Sequence, residues 1–187
     1  MQQAESLTFT ADDFLAWEES QTEKHEYIAG ETFAMVGARR EHVLVSLNLA
    51  SSLKQRLRGT PCQSYMADMK LRVESADAFF YPDVIVTCHP EDRKAGQFLA
   101  HPTLIAEVLS DSTAAFDRGD KFAAYRSLES LKEFVIVDID ALRVECYQRT
   151  SDNEWLLHDY TGQQDCRLAS LDLTIPLAEI FEDVLAD

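Results

Sequence analysis

Basic residues are scarce in this chain. Lys and Arg number 17 against 33 Asp and Glu over 187 residues, a formal net charge of −16. That balance opposes nonspecific adhesion to nucleic acid or to an anionic membrane, although acids gathered around a metal would add to the same total. Glycine and proline are also few, at 6 and 5, which excludes collagen-like and low-complexity chains. No apolar run approaches the roughly 20 residues of a membrane span, so no membrane partner is expected. The opening stretch lacks the basic and apolar regions of a secretory signal. The four cysteines (Cys62, Cys88, Cys146, Cys166) form no C-x-x-C pair. They read as reduced thiols packed as small apolar groups, and with the missing signal they point to the cytoplasm. Neither a G-x-x-x-x-G-K phosphate loop nor a G-x-S-x-G nucleophile elbow occurs.

What is present is enough apolar sequence, 46%, to build one core. Residues 1–9 read as a loose tail and 10–187 as a single domain. Thr10 can cap a short helix, with Asp12 and Asp13 in its first turn. Two short strands are expected over 25–36, around a turn at Ala29 and Gly30. A long helix follows over 40–58, where Val43, Leu47, Ala50, Leu53 and Leu57 recur at helical spacing, and Gly59 and Pro61 stop it. Residues 64–74, 79–88 and 103–109 then read as a three-stranded meander. Helical spacing returns over 116–128, and 134–138 is a short buried strand. A strand, a helix and another strand make a right-handed crossover, so 103–109 and 134–138 should lie parallel. Further strands are expected near 143–149 and 155–160, and Pro176 opens a last helix. The fold class is therefore α/β: a mixed sheet with an αβββαβ core and flanking helices.

The densest chemistry lies in Tyr81-Pro82-Asp83-Val84, in Ala106-Glu107-Val108 and in the run from Asp117 to Lys121. Glu107 interrupts an otherwise apolar strand, where a carboxylate costs free energy unless it is paired or bound to a metal. Acids on neighbouring strands can converge into an oxygen site for Mg²⁺ or Mn²⁺. A nearby lysine would stabilise developing charge. The structural alternative is that Asp83 marks a strand entrance while Glu107 pairs with a basic side chain.

The element order, the literal Pro82-Asp83 and the strand-borne Glu107 resemble the PD-(D/E)XK nuclease superfamily. More narrowly, HEYIAGETFAM, Glu41-His42, YPDVIV, LIAEVLSDST, FDRGDKFAAYRSL and EFVIVD resemble the Uma2 family of putative restriction endonucleases. The resemblance implies a restriction-endonuclease-like fold, a DNA substrate, and Asp83 and Glu107 as ligands of Mg²⁺ or Mn²⁺. The superfamily lysine would stand two residues after the glutamate, where this chain has Leu109. Lys121, from the following helix, is the candidate to replace it, and Tyr125 shares its helix face. A plain Asp117–Lys121 ion pair competes with that role. His42 matches a family histidine and Glu31 stands where related nucleases add an N-terminal acid, so both are placed around the site rather than on the metal. A homodimer would serve to cut both strands of a duplex.

Other groups suggest less. Cys88-His89 lacks a second pair at zinc spacing, and His25, His101 and His158 have no evident partners. Among the basic residues Arg39, Arg40, Lys54, Arg56 and Arg58, the last three read as a solvated helix face. Two functions besides the nuclease stay open: a nuclease-like fold kept as a binding or regulatory module, which the acidity favours, and a hydrolase of small phosphorylated compounds.

Overall fold

The computed structural model describes residues 9–35, 37–110 and 113–184. The main sheet has six strands in the order β11-β10-β9-β8-β6-β3. These are β3 (Gln63–Met66), β6 (Val84–Thr87), β8 (Pro102–Val108), β9 (Glu133–Asp138), β10 (Arg143–Arg149) and β11 (Trp155–Thr161). All neighbours are antiparallel except β8 and β9, which are parallel as the crossover reading requires. The expected mixed α/β architecture is the one observed.

Sequence reading ran two pairs of strands together. Residues 64–74 divide into β3 and β4 (Lys70–Val73), and 79–88 into β5 (Ala78–Phe80) and β6. β4 and β5 leave the main sheet for a second one, ordered β2-β1-β5-β4-β7, with β1 (His25–Ile28), β2 (Glu31–Ala34) and β7 (Phe98–Leu99). The breaks have local causes. Ala67 turns at φ 38°, a left-handed backbone that a strand cannot accommodate. Pro82, which has no N–H for a ladder, stands between β5 and β6. A hairpin of β12 (Asp165–Leu168) and β13 (Leu173–Pro176), unmarked by any clear alternation, precedes the last helix.

The alternation of side chains decides what each face of the main sheet meets. Val84, Val86, Leu104, Ala106, Val108, Val135 and Val137 point to one face. There they pack on α2 (Arg40–Arg56) through Val45, Leu49 and Leu53, and on Leu177 and Ile180 of α5 (Leu177–Ile180). Ile85, Ile105, Phe134 and Ile136 point to the other face, against Leu71, Val73 and Phe80 of the second sheet and against Tyr125 and Leu131. The apolar runs are continuous because both faces are covered. Glu107 falls on the face of Ile105, and Asp83 on that of Ile85.

α1 (Ala11–Glu18) begins with the expected Thr10 cap, closed into a capping box by Asp13. Phe14 packs with Tyr27 and Phe79 in a third small core. Residues 1–8 of the expected tail lie outside the described residues; Phe9 stacks near Trp17, with ring centroids 5.3 Å apart. The helix between β8 and β9 runs as α3 (Ala114–Phe116), a π-turn over Asp117–Lys121 and α4 (Phe122–Tyr125).

Two cysteines correct the sequence reading. Cys62 and Cys88 form a disulfide, their Cα atoms 3.9 Å apart. Gln63 pairs with Thr87 across β3 and β6, so the preceding residue of one strand faces the following residue of the other. Only that register brings them together, and C-x-x-C spacing plays no part. The cysteines therefore no longer argue for a reducing compartment. Cys146 and Cys166 are free, buried and 3.4 Å apart, packed as small apolar groups in the core. Arg56 departs from a solvated face as well, since it makes a bidentate ion pair with Glu179 at 2.8 and 2.7 Å. Among the described residues no helix is long and apolar enough to cross a membrane.

Candidate active site

A cavity of about 590 Å³ opens between the two sheets and α2, lined among others by Lys24, Glu26, Arg39, His42, Tyr81, Asp83, Glu107, Asp117 and Lys121. Its floor follows from the antiparallel register of β6 and β8, in which Val84 faces Ala106. The residues just outside that pair, Asp83 and Glu107, are brought side by side. The Asp83 amide donates to Glu107 Oε2 at 3.4 Å and the Val108 amide donates to Asp83 Oδ2 at 2.8 Å. Glu107 is buried, whereas Asp83 keeps 18% of its side chain open to the cavity.

The crossover helix supplies the opposite wall. Lys121 is buried, its Nζ 3.5 Å from Glu107 Oε1, 3.3 Å from Asp117 Oδ1 and 3.0 Å from Glu26 Oε1. The Asp117 contact expected as a competing ion pair is thus present, but Lys121 is shared among three acids. Tyr125, fully buried, donates its hydroxyl to Glu107 Oε1 at 2.8 Å. His42, in the first turn of α2, sets Nε2 3.3 Å from Asp83 Oδ2. Tyr125 and His42 thus each touch one of the two acids, Glu107 and Asp83.

Glu31 is not part of this arrangement. It is exposed at the start of β2 and does not line the cavity. The acid that the N-terminal hairpin contributes is Glu26, on β1. Tyr27 turns into the third core, so its neighbour Glu26 must face the other way, and there it meets Lys121. Alternation within HEYI carried that signal, once the buried side of Tyr27 was known.

The electrostatics follow from burial and crowding. Burial pushes the Glu107 carboxyl up to about 8, and Asp83 and Asp117 add to the rise while the Lys121 ammonium opposes it. For Lys121, burial alone would lower the pKa, but Glu107, Glu26 and Asp117 outweigh it and hold the ammonium protonated. The hydrogen bond to Asp83 raises His42 against the effect of its own burial. Burial, with Glu107 next, pushes Tyr125 well above the phenol range.

Three carboxylates therefore share one ammonium, and Asp83 stands beside them against His42. Asp117 Oδ1, although close to Lys121, is buried without a hydrogen bond. Carboxyl groups crowded in this way would gain from a cation, and an all-oxygen donor set suits a hard one such as Mg²⁺ or Mn²⁺. Asp83 and Glu107, side by side at the cavity floor, could hold it.

Comparison with known proteins bears on this arrangement. A family described as "Putative restriction endonuclease", Uma2, matches residues 11–179. The chain belongs to the Uma2 family. Two uncharacterized proteins of Synechocystis are similar to this Uma2 chain. One is 35% identical over 170 residues, 91% of this chain and 90% of its own length. The other is 36% identical over 162 residues, 86% of this chain and 92% of its own. In three dimensions the chain resembles a structure described as a putative nuclease belonging to DUF820 from Anabaena variabilis. The TM-score is 0.78 at 16% identity, covering 95% of this chain and 99% of the other. The likeness at that identity establishes a shared fold. Together the family and the fold support a nuclease-like function.

Proposed function

We propose that this Uma2 protein is a divalent-metal-dependent endonuclease that hydrolyses phosphodiester bonds of DNA. The observation that carries the reading is the convergence of Asp83 and Glu107, from two different strands, on one cavity that also holds Lys121. Mg²⁺ or Mn²⁺ bound by the two carboxylates would supply Lewis-acid chemistry and a more acidic water.

The chain's own residues have separable tasks. Lys121 offers a fixed positive charge toward the oxygens of a phosphate entering the cavity. Tyr125 holds Glu107 in one orientation, and His42 does the same for Asp83 while adding positive character at the mouth. Lys24 and Arg39 line the same cavity, a local basic rim on an otherwise acidic protein that suits a phosphate backbone. Two copies acting together would cut both strands, and a DNA substrate would place the protein in the cytoplasm.

Beside the acidity of the chain, the non-catalytic reading has a structural observation in its favour: Lys121 is already engaged by three carboxylates. Incubation of labelled duplex with Mg²⁺, with EDTA, and with Glu107→Gln in place of wild type separates the two. Cleavage only by wild type with Mg²⁺ supports the nuclease. Retention of DNA without cleavage supports the binding module, and turnover of a small phosphodiester alone would transfer the activity to small substrates.

A further inference from the structure

A second cluster lies at the other end of β6 and β8. His89 follows β6, and His101 immediately precedes β8. Their rings stack at 4.1 Å between centroids. With Glu91 they present ligand atoms that all lie within 4.8 Å of one another. Asp83 and His89 are six residues apart along one nearly extended strand, as are His101 and Glu107. The cluster therefore stands roughly 15–20 Å from the carboxylate pair.

The surroundings hold these histidines in place. Thr87 is fully buried; its hydroxyl donates to the His101 carbonyl at 2.9 Å and accepts the His89 amide at 3.1 Å. Asp92, 3% exposed, accepts the amides of Ala100 and His101 at 3.0 Å each. Its carboxylate also lies 3.2 Å from Nδ1 of the His101 ring. A carboxylate on Nδ1 leaves Nε2 as the free donor, which is the arrangement that orients histidines bound to metals. The Cys62–Cys88 bond fixes the chain just before His89.

We infer that His89, Glu91 and His101 form a binding site for a borderline divalent cation of the Zn²⁺ type, distinct from the Asp83–Glu107 site. Two imidazoles and one carboxylate suit Zn²⁺ far better than Mg²⁺, which prefers oxygen. Donors at about 2.0–2.1 Å from a tetrahedral ion stand about 3.4 Å apart. The three side chains close by up to about 1.4 Å to reach that spacing, a movement open to partly exposed groups. The contacts given up are the weak 3.4 Å bond from the Glu91 amide to His89 Nδ1 and the ring stack itself, since the in-plane lone pairs of rings only 20° apart converge on one ion only after one ring turns. Because the ligands come from both ends of the excursion between β6 and β8, the ion would tie the base of that segment. The inference does not depend on the nuclease reading.

Titration of the full-length protein with Zn²⁺, and with Co²⁺ read by its visible absorption, tests it without any DNA. Wild type and Asp83→Asn should share one Zn²⁺ equivalent of the same affinity, whatever further ion the Asp83–Glu107 pair takes up in wild type, and both should melt higher with Zn²⁺. His101→Gln should bind at least about 100-fold more weakly while keeping the metal-free melting temperature of wild type. His89→Gln, at a partly exposed position, gives the same readout if His101→Gln does not fold. Unchanged Zn²⁺ affinity in the histidine variants, its loss in Asp83→Asn, or no uptake by wild type would overturn the inference.

Discussion

Asp83 and Glu107 are tied to each other through the backbones of their neighbouring strands. The Asp83 amide serves the Glu107 carboxylate, and the amide next to Glu107 serves Asp83. Neither acid can rotate away without stranding a backbone donor, so the pair stays close even though burial and the neighbouring Asp83 push the Glu107 carboxyl up.

That closeness predicts the behaviour of Asp83→Asn. The amide keeps an oxygen for the Val108 N–H and removes a charge beside Glu107, while giving up the charged partner of His42. These effects oppose each other, so without metal the variant should melt within a few degrees of wild type. It should lose the Mn²⁺-dependent rise in melting temperature that linkage gives wild type. A calorimetric titration finding equal Mn²⁺ affinity in both proteins would remove Asp83 from the ligand set.

Lys121→Met tests charge in a different way. Removing the ammonium leaves Glu26, Glu107 and Asp117 buried without their shared partner. A broken buried pair typically costs about 3–5 kcal/mol, and urea unfolding should show a loss of that order in metal-free buffer. Added Mn²⁺ should restore part of it. In the folded variant with metal, DNA cleavage should fall by roughly 10²–10³; cleavage at the wild-type rate would leave Lys121 a purely structural cation.

The acid limb of stability should report Asp77. The Arg72 guanidinium, 2.8 Å away, holds its carboxyl below the ordinary range against the effect of burial, with the Tyr27 hydroxyl adding to the lowering. A depressed folded pKa means a contribution present above the unfolded value, near 4, and lost as pH falls through the lower folded one. Asp77→Asn should therefore flatten the decline in melting temperature below about pH 4. Asparagine also tolerates the left-handed backbone at φ 45°. Melting curves from pH 7 to 2 that run parallel in both proteins would contradict this role.

The disulfide gives a prediction independent of the site. Cys62 and Cys88 are 26 residues apart, a loop whose closure in the unfolded chain is worth about 3–4 kcal/mol in the entropic description. Cys62→Ser should lower the urea midpoint accordingly, and reductant should have no further effect on it. Equal midpoints for wild type with and without reductant would show that the bond contributes nothing in solution.

Asp83 and Glu107 were legible in sequence because each interrupts or borders an apolar β run, where a charge demands a reason. Lys121 followed from chain direction, since a crossover helix must fold back over the strand that carries Glu107. Glu26 was hidden because its inward orientation depends on Tyr27 packing against Phe14 and Phe79, which no local pattern shows. The Cys62–Cys88 bond and the His89–His101 stack depend on register between segments far apart in sequence. The division of 64–74 and 79–88 between two sheets was obscured for a related reason. β5 and β6, buried on both faces, lose the alternation that would mark where one ends and the other begins, whereas the break between β3 and β4 rests on the left-handed turn at Ala67.

The π-turn at Asp117–Lys121 acts as a phase correction. Each residue of a regular α-helix advances the direction of its side chain by about 100°, and the wider turn absorbs one residue without that advance. Asp117 at its start and Lys121 at its end line the same cavity wall as a result, and Tyr125 beyond it reaches Glu107 behind that wall. A helix regularised with all of its residues kept would be the better helix by local criteria, yet every side chain beyond Lys121 would advance by about 100° more, which would swing Tyr125 away from Glu107 if Asp117 stayed in place. The irregular turn thus sets the angular timing of the site, and a substitution scheme that straightened it would uncouple the lysine wall from the carboxylate floor.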